Sequence, residues 1–226
     1  MNTSTPFAFE KPVTLRESVE SFLREAIMQG RLRGGERLRE QELCEQLGVS
    51  RSTLREALRR LEAERLITIE PHRGPRVTQM SEKEARDLYA LRALLEGYAA
   101  HEFAQRASVG QIEQLGKEVQ SLHQAARAKD QARLLQAKQR FYDVLLDGCD
   151  NGLMSDMLLG LLSRISLLRA TSFSHPDRLP QSLKEIDGIY RCIQSRDAEG
   201  AQHHARIHVA NAERAALAML ANHNER

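Results

Sequence analysis

Four arginines, Arg51, Arg55, Arg59 and Arg60, fall within ten residues that hold a single acid, Glu56. The run opens as Ser50-Arg51-Ser52-Thr53-Leu54-Arg55. A guanidinium can bond a guanine through two parallel hydrogen bonds, and short hydroxyls at a helix N-terminus suit phosphate oxygens or base edges. Further along stands His72-Arg73-Gly74, where a glycine would let the backbone approach a phosphate or a minor groove closely. A charge run by itself reads more simply as a solvated helix face. The elements around it decide.

Thr14 and Glu17 form a capping-box pattern, and Leu15, Val19, Phe22, Leu23, Ala26 and Ile27 recur at helical spacing. This predicts a helix that stops near Gly30, with a turn at Gly34-Gly35. Residues 40–47 are predicted as a short amphipathic helix with Leu43 and Leu47 inward, left through Gly48. Ser50 can then cap a helix over 51–64 that turns Leu54, Ala57, Leu58 and Leu61 inward. The period next shifts toward a hairpin, Leu66–Ile69 and Arg76–Thr78 around Pro71–Pro75. Three helices and a hairpin over 13–78 read as a winged helix-turn-helix. In that motif the second helix enters the major groove with its N-terminal residues at base edges. The predicted DNA-facing set is therefore Ser50, Arg51, Ser52, Thr53, Arg55, His72, Arg73 and Gly74.

A second capping-box pattern, Ser81 with Glu84, opens a second domain over 79–226. Its breaks predict six helices, over 82–106, 109–128, 130–148, 152–173, 182–196 and 198–222. The fold class is thus mainly α, a winged helix-turn-helix followed by an all-α helical bundle, with residues 1–12 a loose arm. Composition agrees: 41% hydrophobic and 28% charged residues are globular values, and 4% aromatics without Trp leave the cores to Leu, Ala, Ile and Val. Between Val13 and Thr78 there are 13 Arg against 11 Glu, with no Lys or Asp. Overall charge therefore does not establish nucleic-acid binding, and clustering must. Cys44, Cys149 and Cys192 form no CxxC pair and read as buried free thiols of a reducing cytoplasm. The N-terminus lacks the apolar run of a signal peptide, and Leu153–Leu168 is too short to span a bilayer, so a cytoplasmic protein with no membrane partner is expected.

The stretch from Gly35 to Leu58, GERLREQELCEQLGVSRSTLREAL, resembles the DNA-binding domain of the GntR family. The stretch LYALRALLE, Leu88 to Glu96, resembles the start of the FadR-type FCD effector domain. Together the resemblance covers about residues 14–222. It implies that Arg51, Ser52, Thr53, Arg55, His72 and Gly74 face DNA. Gly34 stands where the family usually has proline, Arg65 where it has glycine after the recognition helix, and Gln41 where it often has a DNA-contacting arginine.

The resemblance also implies a place for a divalent metal, held in FCD domains by an Asp, a His one turn later, and two later histidines. Here Lys138 and Tyr142 stand at the first two positions, and Ile186 follows Glu185 at the third. Only His208, on the last helix, matches. One ligand of four does not hold a metal, so no metal and no cofactor are expected. His204 and His208 share a helix face and could pair on zinc, but they read more simply as core or solvent-facing histidines. Lys138, Tyr142 and His208 could instead meet a carboxylate or phosphate directly. Further anchor candidates are Arg92, which could equally be tied in an i, i+4 ion pair with Glu96, and Arg164 and Arg169. Lys138 could also be a solvated lysine in a slightly shifted helix register.

The function expected is a ligand-responsive transcription regulator: a homodimeric repressor on palindromic double-stranded DNA, released by a small anionic effector. The alternatives are a helical metalloenzyme, for which no nucleophile–base pair or ligand set is visible, and an architectural DNA-binding protein without a ligand.

Overall fold

The computed structural model describes residues 14–172 and 178–224, and the side chains of 14–165 and 178–221. The expected arm over 1–12 lies outside the described residues. The chain divides into two compact units, Met1–Thr78 and Gln79–Arg226.

In the first unit α1 (Leu15–Met28) starts at a complete capping box of Thr14 and Glu17. Helix α2 (Glu40–Leu47) ends at Gly48, whose φ of 64° is the left-handed conformation that reverses the chain into α3 (Arg51–Ala63). Leu23, Leu54, Ala57, Leu58 and Leu61 are fully buried between these helices. Strands β1 (Ile67–Glu70) and β2 (Gly74–Val77) pair antiparallel, with Glu70 opposite Gly74 and Ile69 opposite Pro75.

Two departures from the sequence reading lie in this wing. β2 begins at Gly74, not Arg76. Pro75 fits because its carbonyl accepts from Leu38 N at 2.9 Å, so its missing N–H also points away from β1. The segment 35–38, read only as the exit of a glycine turn, adds to the free edge of β2. Gly35 N donates to Val77 O and Val77 N to Glu36 O, both at 2.9 Å, and Arg37 bridges Arg76. Nothing in the four residues Gly35-Glu36-Arg37-Leu38 announces a strand; the edge that satisfies their backbone comes from residues about forty positions on.

The second unit is all helical: α4 (Glu82–Arg106), α5 (Val109–Arg127), α6 (Gln131–Gly148), α7 (Gly152–Ser172), α8 (Arg178–Gln194) and α9 (Ala198–Asn224). Capping boxes at Ser81 and Ser108 start α4 and α5. Helix α4 lies along α9, α5 along α6, and α8 along α9. Their shared core includes Phe103, Leu115, Leu122, Phe141, Leu158 and Ile193. Helix α8 starts four residues before the expected position, because Pro180 falls in its first turn, where no intrahelical N–H is needed. Of the three free thiols only Cys149 is buried; Cys44 and Cys192 are partly exposed. Among the described residues no helix is long and apolar enough to cross a membrane.

Helix α3 closes with Arg65 N donating to Glu62 O at 2.8 Å and Leu66 N to Leu61 O at 2.9 Å. This pair of hydrogen bonds is made with Arg65 at φ 59°, a conformation that costs a residue with a Cβ about 1–2 kcal/mol. Arg65→Gly relieves that strain at the expense of some unfolded-state entropy. It is expected to raise the unfolding free energy of this unit by about 1 kcal/mol, and Arg65→Val to lower it. Urea unfolding of the two variants checks the sign.

Candidate functional site

Two places in the chain gather the candidate residues, one exposed and one buried. The exposed one is the N-terminal end of α3. Ser50 caps the helix, its Oγ accepting from Thr53 N at 3.2 Å and lying 2.8 Å from Ser52 Oγ and 2.9 Å from Thr53 Oγ1. With Leu54, Ala57, Leu58 and Leu61 turned inward, Arg51, Ser52, Arg55, Arg59 and Arg60 are left on the solvent side. Arg55 Nε donates to Glu40 Oε2 at 2.9 Å, a partner that no local sequence pattern identifies. Glu40 opens α2, so the ion pair links the two helices of the motif.

The wing offers a second exposed edge. His72 and Arg73 are exposed at its tip, His72 at φ 64° and Gly74 at φ 79°. Arg73 lies 3.6 Å from Glu70. A groove of about 660 Å³ lies between the wing and α2, lined by Gly74 and by Arg37 and Arg39 among others. These two arginines carry no signal in the sequence, where they stand among glutamates. Only the docking of segment 35–38 onto β2 brings Arg37 to the groove.

The buried site lies in the helical unit. Arg92 on α4 is 1% exposed. It forms the i, i+4 ion pair with Glu96, and its Nη2 donates to Tyr142 Oη on α6 at 2.9 Å. Burial opposes the charge, but the Glu96 carboxylate keeps the guanidinium firmly protonated. His208 on α9 is 2% exposed, and its Nδ1 lies 2.7 Å from Glu185 Oε2 on α8. Glu185 also accepts from Arg178 Nη1 at 2.9 Å and Asn211 Nδ2 at 2.5 Å. His208 Nε2 is buried without a hydrogen-bond partner. Lys138, half-buried one turn before Tyr142, faces this imidazole closely enough to act on its protonation.

Arg92 and Tyr142 are thus bonded to each other, and Arg92 and Lys138 both act electrostatically on the His208 imidazole. Glu185, Arg178 and Asn211 complete the cluster. Glu185 was visible only as the residue before a missing ligand, and the other two carried no signal. Arg164 on α7 is partly buried and its Nε lacks a partner, but among the described residues no bond joins it to the cluster. The Arg169 side chain lies outside the described ones. His204 is turned toward Gly188 of α8, apart from the Glu185 carboxylate that His208 meets.

The donor set does not suit the metal that the resemblance implies. One neutral imidazole faces two cations, Lys138 and Arg92, and the carboxylate beside it is already bonded three ways. Among the described residues no three His, Cys, Asp or Glu side chains converge on a common point for an ion.

Burial, opposed by the Glu185 bond and assisted by Lys138 and Arg92, pushes the His208 imidazole down to about 4. Burial would raise Glu185, yet hydrogen bonds from His208, Asn211 and Arg178 carry it down to about 2. Both folded values lie below the unfolded ones, so each group's contribution is complete above its unfolded pKa and is lost as pH falls. For His208 that window runs from 6.5 down to 4 and is worth about 3 kcal/mol, and for Glu185 it runs from 4.5 to 2. The unfolding free energy of this unit is expected to fall through the upper window, and less steeply in His208→Gln. Urea midpoints between pH 7 and pH 4 measure the difference.

Residues 15–77 match the family described as bacterial regulatory proteins, gntR family, and residues 87–211 match the FCD domain. The chain is 25% identical to the HTH-type transcriptional regulator YdhC of Bacillus subtilis (strain 168), over 89% of this chain and 91% of that protein. It is 27% identical to the HTH-type transcriptional repressor RspR of Escherichia coli (strain K12), over 89% and 88%. Among solved structures, E. coli McbR/YncC superposes with a TM-score of 0.77 at 21% identity, covering 88% of this chain and 95% of that one. With the helix-turn-helix, the wing and the helical bundle already in place, the chain belongs to the GntR family of bacterial regulatory proteins, among the members that carry an FCD domain.

Proposed function

We propose that this regulator is a cytoplasmic transcription repressor that binds a palindromic operator as a homodimer and is released by a small organic acid. The observation that carries the reading is the contrast between the two units of one chain. One presents Arg51 and Arg55 to solvent at the capped end of a helix, and the other encloses Arg92 and the Lys138-facing His208 in its interior. Exposed guanidinium groups beside a hairpin suit a charged polymer; enclosed ones suit a small anion.

In this reading Ser50, Ser52 and Thr53 contact phosphate, Arg51 and Arg55 read bases, and His72, Arg73 and Gly74 meet the backbone or minor groove beside the helix. Arg92, Lys138, Tyr142 and His208 form the effector site. The relative described as a repressor, RspR, supports the direction of control. Neither YdhC, RspR nor McbR/YncC is described as an enzyme.

The DNA reading is tested by the double variant Arg51→Ala, Arg55→Ala. Each base-reading arginine is worth about 1–3 kcal/mol, so operator affinity should fall by at least about tenfold and sequence preference should relax. A purely phosphate role would instead weaken all sequences alike and flatten the salt dependence. Wild-type affinity in the double variant would remove α3 from the groove.

One such unit reads only a short half-site, so useful affinity calls for two units related by a two-fold axis. Light scattering should return twice the 25.6 kDa chain mass at micromolar concentration, and the footprint should be symmetric. A monomer mass with a one-sided footprint would defeat the dimer.

A further inference from the structure

The charges of the helical unit are unevenly spread. From Gln79 to Arg226 there are 19 basic and 19 acidic residues, yet from Lys117 to Arg140 six basic residues stand against two acidic ones. Each of those two acids is engaged by an arginine. Glu118 on α5 is buried, and its carboxylate accepts from Arg140 Nε at 2.8 Å and from Gln114 Nε2 at 3.0 Å. Asp130 lies 3.2 Å from Arg133 Nε. Lys117, Arg127 and Lys129 are exposed. The hairpin of α5 and α6 is therefore a strongly positive face on a unit without net charge.

A groove of about 290 Å³ opens on this face. Arg133, Gln136 and Arg140 from α6 and Ser121 and Gln124 from α5 line it, and none of its lining residues is acidic. The spacing i, i+3, i+7 puts the three α6 residues on one side of the helix, away from Tyr142 and the Arg92 that it meets. Both arginines are held through Nε, and among the described residues neither makes a hydrogen bond through its terminal Nη atoms. A buried carboxylate is tolerated only where it is paired. Glu118 thus fixes one edge of the Arg140 guanidinium and leaves the other for a further acceptor.

Guanidinium ends and side-chain amides supply donors from two helices, and the groove has no carboxylate of its own to meet them. The ligand that answers them carries negative charge and several acceptor oxygens. A carboxylate offers two oxygens, whereas a phosphoryl group offers three and a larger charge. Arg133 and Arg140 stand about 10 Å apart along the axis of α6, and two linked phosphoryl groups give each of them a partner. We propose that this groove is an anion site, separate from the buried cluster, for a small molecule that carries linked phosphoryl groups. Arg133 and Arg140 each hold one phosphoryl group, and Gln124 and Gln136 donate to the remaining oxygens.

Inorganic pyrophosphate is the probe, titrated calorimetrically into the full-length protein beside citrate, which carries comparable charge on carboxylates alone. Pyrophosphate should bind with one equivalent per chain, at least about tenfold more tightly than citrate. Arg133→Gln with Arg140→Gln should weaken it at least about tenfold. Lys117→Gln with Lys129→Gln removes the same charge outside the groove and should change it by less than about threefold. Loss of Arg140 strips buried Glu118 of a partner. Should that variant fail to fold, Gln136→Glu carries the test: it is an exposed change of equal shape that sets a carboxylate in the groove, and it should weaken pyrophosphate as much. Operator DNA should bind the arginine variant and the wild type alike.

Equal binding of citrate overturns the phosphoryl assignment. Equal losses in the lysine and arginine variants mean diffuse attraction of an adventitious ion only, and overturn the site. Unchanged affinity in the arginine variant or in Gln136→Glu puts pyrophosphate elsewhere and overturns it too. Weaker DNA binding with a shallower salt dependence in the arginine variant gives the groove to the phosphates of DNA and overturns the small-molecule ligand. A wild-type protein that does not bind pyrophosphate overturns the proposal outright.

Discussion

A guanidinium taken out of water is tolerated only where a carboxylate and further acceptors meet it, and Arg92 imposes that condition on the whole helical unit. Glu96, one turn along α4, supplies the charge, and Tyr142 on α6 supplies the acceptor. Removal of one partner from such a pair leaves an uncompensated buried charge, a loss of about 3–5 kcal/mol. The register of α4 against α6 is therefore held by directional bonds as well as by apolar contact. Glu185 plays the matching part for α8 and α9, gathering His208 and Asn211 from one helix and Arg178 from the other. The Leu- and Ala-rich core drives collapse without direction; these two polar knots select one arrangement of four helices.

The DNA-binding unit is organised the other way round. Its buried residues are aliphatic, and its charges lie on the outside, where ion pairs add little stability. Arg24 meets Glu64 at 2.6 Å, joining α1 to the end of α3, and Arg55 meets Glu40. What such exposed pairs contribute is direction. With its Nε held by Glu40, the Arg55 side chain has fewer rotamers open to it.

The same helical fold serves different chemistry according to the few side chains that line its interior. Lys138 and Tyr142 stand where the resemblance implies an aspartate and a histidine, and His208 is bonded to Glu185. A metal would engage the lone pair of Nε2. Here Lys138 and Arg92 disfavour a positive charge at His208, and Glu185 engages its Nδ1. A change of charge at one position on α6 thus alters what a residue on α9 can do.

Much of the architecture was legible in the residues alone because it is encoded over short distances. Capping boxes at Thr14 and Ser81, the left-handed exit at Gly48 and the 3.6-residue spacing of Leu54, Ala57, Leu58 and Leu61 each operate within a few turns of helix. The arginines of α3 could be placed on its outer face for the same reason, and the family resemblance brought Lys138, Tyr142 and His208 to one region. Other features depended on what lay across the fold. Segment 35–38 becomes an edge strand only because β2 arrives beside it, and α8 begins early because a first turn accepts Pro180. Arg92 and Tyr142 stand fifty positions apart and His208 and Glu185 twenty-three, so no local pattern pairs them. Sequence determines which side chains are available and which helix face carries them. Which nitrogen of His208 holds the proton is decided only when helix packing brings the Glu185 carboxylate to Nδ1.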